Sequence, residues 1–112
     1  MKKPLNLPRG RTACLCIDLQ EEHRHDPRYL VEGYERVLAN VRRLQEAARG
    51  NGVPILHCAY SVDTAAIRPF HPINPDGTSA FSDKSDPLTD VCAEVAPKGD
   101  EPLLVKGEAS AF

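Results

Sequence analysis

The sequence predicts an α/β fold around a parallel sheet, and three features carry that expectation. Short apolar runs recur at residues 12–18, 53–59 and 103–106, a long amphipathic segment separates the first two, and a shorter helix-like segment precedes the third. Strand, helix, strand, helix, strand is the order of successive βαβ units, whose crossover helices cover a parallel sheet.

Each element follows from its residues. Residues 12–18 read T-A-C-L-C-I-D, a continuous apolar run closed by an acid, as expected of a strand covered on both faces. Between residues 30 and 49, Val31, Tyr34, Val37, Leu38, Val41, Leu44, Ala47 and Ala48 recur at steps of three and four. Glu35, Arg36, Arg42, Arg43 and Glu46 fall between them, which predicts an amphipathic helix. Gly50, Asn51 and Gly52 stop it. Residues 53–59, V-P-I-L-H-C-A, give the second strand, with Pro54 at its start, where a missing ladder donor costs least.

Residues 60–85 hold Pro69, Pro72, Pro75 and Gly77 among polar residues and read as a long loop. Asp86 followed by Pro87 has the order of an N-cap and a first helical Pro, predicting a short helix to about Val95. Pro97 and Pro102 bracket a break, and residues 103–106, L-L-V-K, form a third strand that ends on a cation. Residues 107–112 begin another connection, and no internal repeat is present.

The bulk numbers narrow the function classes. A chain of 112 residues is one domain or part of one, read as an N-terminal extension at 1–11 and a domain portion at 12–112. With 41% hydrophobic and 27% charged residues it belongs among globular proteins. A net charge of -2, interleaved signs, few aromatics and no Trp argue against a nucleic-acid partner. No apolar run suits a signal peptide or a membrane span, so the expectation is a cytoplasmic protein with no membrane partner. Cys14, Cys16, Cys58 and Cys92 sit in apolar segments without C-x2-C spacing and read as reduced core thiols.

Asp18 and Lys106 each close a strand, and ligands of parallel sheets gather at the carboxyl ends of the strands. Three segments then carry a family resemblance. A-C-L-C-I-D-L-Q, from Ala13 to Gln20, resembles the opening strand and D-x-Q of isochorismatase-like hydrolases. A-A-R-G-N-G-V-P-I-L-H, from Ala47 to His57, is similar to that family's A-R-x-x-G-V-P strand entry, and V-K-G-E-A-S-A-F, from Val105 to Phe112, to its K-x-x-x-S-A-F element. The resemblance implies a three-layer α/β/α, Rossmann-like fold with a parallel sheet, here incomplete. It implies hydrolysis of a small amide or carbamoyl compound by an Asp–Lys–Cys triad, with Asp18 the general base and Lys106 its cationic partner. Gln20, Ser110 and Phe112 belong to the matched motifs and are expected to bind substrate or support its pocket.

The chemistry needs those residue types. A thiol with an ordinary pKa of about 8.5 is mostly protonated at neutral pH, so a carboxylate that takes its proton and a cation that favours thiolate make it nucleophilic. In the family the nucleophile follows in a G-V-x-T-x-x-C-V turn, which does not occur before Phe112. The resemblance therefore implies a chain truncated before its Cys and inactive as it stands. Isochorismatases that cleave a vinyl ether without a thiol need the same later half for their pocket. The alternative is a pseudoenzyme or partner subunit that pairs through an exposed sheet edge.

No cofactor or metal is expected. The nicotinamidase metal site needs an Asp-x-His after the second strand, whereas Asp63 is followed by Thr64 and Ala65, leaving only His71. His23, Arg24, His25 and Asp26 read as a solvated turn, and His57 as a packed strand residue. The expected partners are a small-molecule substrate and, for the complete form, further copies in a homo-oligomer.

Overall fold

The computed structural model describes residues 5–66 and 72–107. In chain order these contain β1 (Cys14–Ile17), α1 (Glu22–His25), α2 (Tyr34–Gly50), β2 (Ile55–Tyr60) and β3 (Leu103–Lys106), with 3-10 turns at Arg9–Arg11, Thr64–Ala66, Pro87–Thr89 and Ala93–Val95. The strands form one parallel sheet with β2 in the middle. The expected α/β architecture is therefore present.

Helix α2 packs on the sheet through its periodic face. Tyr34, Leu38, Gln45 and Ala48 are buried, three to seven residues apart on one side of the helix. Tyr34 and Leu38 join Cys92 and Val95 in one core cluster, while Ala48 joins Cys16 and Ile55 in another. Leu19 and Val41 touch both clusters and link them. The helix begins at Tyr34, not at residue 30, because Gly33 before it takes a left-handed φ of 71° that interrupts helical geometry. It stops as its sequence requires: the Asn51 N–H reaches back to the carbonyls of Ala48 and Arg49, and Gly52 adopts a φ of 68°.

Two local expectations need correction. Asp86 does cap the segment that follows, accepting the Leu88 N–H, but the helix does not propagate to Val95. Two 3-10 turns stand in its place, because the backbone between them is claimed elsewhere: Glu21 N–H donates to Asp90 O and Cys92 N–H to Leu19 O, each within 2.9 Å. Nor are residues 23–26 a solvated turn. Arg24 donates to Glu21 at 2.6 Å and to Glu94 at 2.7 Å, holding the Glu94 carboxyl down at about 2, and Asp26 is buried against Arg28.

The strand register assigns the faces. Paired residues share a face, so Leu15, Ile17, Leu56, Cys58, Tyr60, Leu104 and Lys106 lie on one side and Cys14, Cys16, Ile55 and His57 on the side that α2 covers. On the first side Leu15, Ile17, Leu56 and Leu104 are exposed, giving an apolar sheet face at the surface.

The amino ends of the strands are tied by Glu101. Its carboxylate accepts two hydrogen bonds from Arg49 at 2.8 Å, one from His57 Nε2 at 2.9 Å and one from the Lys98 N–H at 3.0 Å. A carboxylate only accepts, so Nε2 carries the His57 hydrogen, and Nδ1 is buried without a partner among the described residues. One acid thus joins the end of α2, the middle of β2 and the entry to β3. The Arg49 hydrogen bonds hold the Glu101 carboxyl well below the usual carboxylate range. A group depressed in this way stabilises the fold fully above its unfolded pKa of about 4.3 and loses that contribution as pH falls toward its folded value. Glu101→Gln is expected to lower the unfolding free energy by about 2 kcal/mol at pH 7 in urea titrations. The gap to wild type should narrow progressively as pH falls below about 4, and a pH-independent gap would mean that the charge is not what matters.

Candidate active site

Asp18 and Lys106 meet across the middle strand. Ile17 is in register with Cys58 and Tyr60 with Lys106, so the two residues leave β1 and β3 at the same carboxyl edge. Two strand spacings separate those backbones by about 10 Å, a gap that needs a long side chain to close. Lys106 closes it, with Nζ donating to Asp18 Oδ2 at 3.2 Å. Its side chain is only 8% exposed against 38% for Asp18, so the cation is held inside and the acid faces outward.

The backbone at Asp18 is unusual. The residue has a φ of 58°, and among the described residues no other non-glycine residue has a positive φ. Asp tolerates this conformation better than most side chains, but it is still strained and such strain concentrates at functional positions. The Asp18 N–H remains on the sheet, donating to Cys58 O at 2.9 Å, so the turn begins directly after the last ladder bond. One carboxylate oxygen is occupied by Lys106. The other, Oδ1, is shielded from solvent and has no hydrogen-bond partner among the described residues. An acceptor in that state is costly as structure and suited to receiving a proton.

Gln20 is spent on the main chain. It is 0% exposed, and its amide is fully used on backbone: Nε2 donates to Tyr60 O at 2.6 Å and to Thr89 O at 2.7 Å, while Oε1 accepts the Tyr60 N–H at 2.7 Å. The side chain clamps the turn after β1 to the end of β2 and to the turn at residues 87–89. It sets the backbone around Asp18 and presents no free polar atom to a ligand. Tyr60 and Thr89 escaped the sequence reading because their part is played by main-chain atoms, which no motif marks. Ser110 and Phe112 lie outside the described residues, as does His71.

The thiols lie apart from this pair in their hydrogen bonding. Cys14 and Cys16 face α2 with their sulfurs 4.0 Å apart, and Gln45 donates to the Cys16 sulfur at 3.4 Å. Cys92 contacts the Tyr34 hydroxyl at 3.7 Å, and Cys58 is buried in β2. Burial pushes the thiols of Cys14 and Cys92 up, away from the thiolate. Among the described residues no set of three His, Cys, Asp or Glu side chains is placed to hold a metal ion. None of the helices described is long and apolar enough to cross a membrane.

A parallel sheet with a carboxylate–ammonium pair at its carboxyl edge defines the α/β class of the protein, and comparison specifies the family. The isochorismatase domain model matches residues 12–112, so the chain belongs to the isochorismatase family. Solved structures share the fold. A cysteine hydrolase from Pseudomonas syringae superposes with a TM-score of 0.78 at 22% identity over 100% of this chain and 55% of its own. An isochorismatase family protein from Desulfovibrio vulgaris gives 0.71 at 24% identity, covering 90% of this chain and 55% of its own. N-carbamoylsarcosine amidase from Thermoplasma acidophilum gives 0.68 at 24%, covering 90% and 54%. The chain therefore spans about half the length of the structures it matches. A comparison with curated proteins found no match.

The clamp predicts a specific sensitivity. Gln20→Glu keeps the shape but turns the donor that faces Tyr60 O and Thr89 O into an acceptor and buries a charge. It is expected to cost about 3 kcal/mol of stability at pH 7 and less at pH 4, where the acid is protonated. Unchanged denaturation at both pH values would show that the Gln20 amide is free to turn toward a ligand.

Proposed function

We propose that this chain contributes the base and the cation of a cysteine hydrolase that cleaves a small amide or carbamoyl compound. The observation that carries the reading is the state of Asp18, held by Lys106 through one oxygen while the other is buried and, among the described residues, unpartnered. The nucleophilic thiol belongs, in this reading, to the part of the fold that the matched structures possess and this chain does not span. An amidase of carbamoyl chemistry among those structures supports the substrate class.

The steps follow from the charges. Asp18 Oδ1 takes the proton of the incoming thiol, and Lys106, paired to Oδ2, keeps the site's charge balanced as thiolate forms. The sulfur attacks the carbonyl carbon and the C–N bond breaks, with Asp18 returning its proton to the leaving nitrogen. Water then gives a proton to Asp18 and adds to the thioester carbon. The C–S bond breaks, the sulfur recovers the proton and a carboxylic acid leaves. The same carboxylate thus works in both halves, which is why it needs one oxygen without a structural partner.

A second reading, in which the chain acts as a non-catalytic partner, is favoured by the exposed apolar side chains of β3 at Leu103, Leu104 and Val105. Kinetics separate the two. In the protein encoded by the whole reading frame, Asp18→Asn and Lys106→Ala are each expected to reduce ammonia release from a processed amide by at least about a hundredfold. Near-normal turnover in either variant would remove that residue from the mechanism, and no turnover by wild type on any amide would favour the partner.

A further inference from the structure

Asp18 is left-handed, yet the chain that follows it is tied on every side. Leu19 O accepts the Cys92 N–H at 2.8 Å and the Glu21 N–H donates to Asp90 O at 2.9 Å, so residues 19–21 run antiparallel to residues 90–92 with Gln20 opposite Val91. The Gln20 side chain reaches the main chain of Tyr60 and Thr89. A further tie comes from α2, where the Tyr34 hydroxyl donates to Gln20 O at 2.9 Å. That carbonyl also receives the His23 N–H, at a longer 3.3 Å.

Tyr34 stands where these segments meet. It is the first residue of α2 and is buried, with its hydroxyl 3.7 Å from Cys92 Sγ and its ring edge to face with His23 at 5.7 Å. Burial, with the Cys92 contact, pushes the hydroxyl pKa up, so it keeps its proton and remains a donor. Farther along the same helix Gln45 donates to Val95 O at 2.9 Å, so α2 also holds the segment on which residues 19–21 lie.

A buried tyrosine needs an acceptor somewhere, but two observations give this acceptor a consequence. Leu19, between Asp18 and Gln20, packs against both core clusters, so a displacement of Gln20 O passes to Asp18 through one packed residue. A left-handed non-glycine residue also costs about as much as one hydrogen bond contributes, so the conformation of Asp18 persists only while the bonds beyond it hold.

We infer that Tyr34 is a positioning residue: its hydroxyl, through Gln20 O, holds the turn that keeps Asp18 Oδ2 on Lys106 and Oδ1 shielded from solvent. The inference deepens the hydrolase reading, and its catalytic part rests on it. Without the hydroxyl the turn relaxes, and a displacement of the base by about half an ångström lowers turnover about tenfold. The effect is on the base and not on the substrate's seat, so it falls on kcat and spares KM.

Tyr34→Phe removes the hydroxyl and keeps the ring. Val41→Ala, which thins the packing of the same core cluster, is the control for a merely structural role. The protein encoded by the whole reading frame is assayed for ammonia release from acetamide, benzamide and N-carbamoylglycine. Tyr34→Phe should lower kcat about tenfold and leave KM within about twofold. Val41→Ala should lower Tm yet keep kcat within about twofold. Amide hydrogen exchange at Asp18 and Glu21 should be at least about tenfold faster in Tyr34→Phe than in Val41→Ala. Unchanged kcat in Tyr34→Phe, or an equal loss in Val41→Ala, overturns the positioning role, and an inactive Asp18→Asn then leaves the hydrolase reading standing. If wild type cleaves none of the three, or Asp18→Asn cleaves as wild type does, the catalytic part falls with the hydrolase reading. Exchange then decides on the hold alone: unchanged rates in Tyr34→Phe overturn it, and faster rates sustain it.

Discussion

The site depends first on strand register. Because β1 and β3 pair with opposite edges of β2, their last residues emerge at one end of the sheet with a strand's width between them. A register shift of one residue would send Lys106 to the helix-covered face and leave Asp18 without its cation. Gln20 guards that arrangement by binding both main-chain groups of Tyr60, the β2 residue aligned with Lys106. The position of the Asp18 carboxylate is thus fixed mainly by backbone hydrogen bonds and by one buried amide.

The two ends of the sheet are built on opposite principles. At the amino end Glu101 is saturated with donors from Arg49, His57 and Lys98, an arrangement that stabilises and leaves the acid nothing further to accept. At the carboxyl end Asp18 sits in a strained conformation with one oxygen unsatisfied. Acids of the same chemistry therefore serve different ends, distinguished by how many donors surround them. Strain and an unpaired acceptor at Asp18 are tolerable because the register, the clamp and the Glu101 tie hold the surrounding frame.

Much of this was legible in the residues, for physical reasons that also mark where reading stops. Parallel strands show as apolar runs, so β1, β2 and β3 fell where expected, and the placing of Asp18 and Lys106 at one sheet edge followed from both closing a strand, while their partnership came from the family resemblance. The segment from Asp86 misled because its cap is genuine while its continuation is decided by residues 19–21, far away in sequence. Arg24 misled for the same reason, since its partner Glu94 lies 70 positions along the chain. Gln20 was recognisable as a motif residue, but its use on Tyr60 and Thr89 was not, because carbonyl partners leave no mark in composition. The left-handed turn at Asp18 was invisible, as Asp carries no signal for it comparable to a glycine.

Among the described residues Asp18 Oδ1 has no hydrogen-bond partner, and what fills that position decides the role of the residue. A crystal structure of the protein encoded by the whole reading frame, with the atom nearest Oδ1 identified, tests it most directly. The account predicts a cysteine sulfur within hydrogen-bond reach of Oδ1, with Lys106 still on Oδ2. A backbone N–H or another structural donor filling that position would make Asp18 a turn residue and contradict its role as a base.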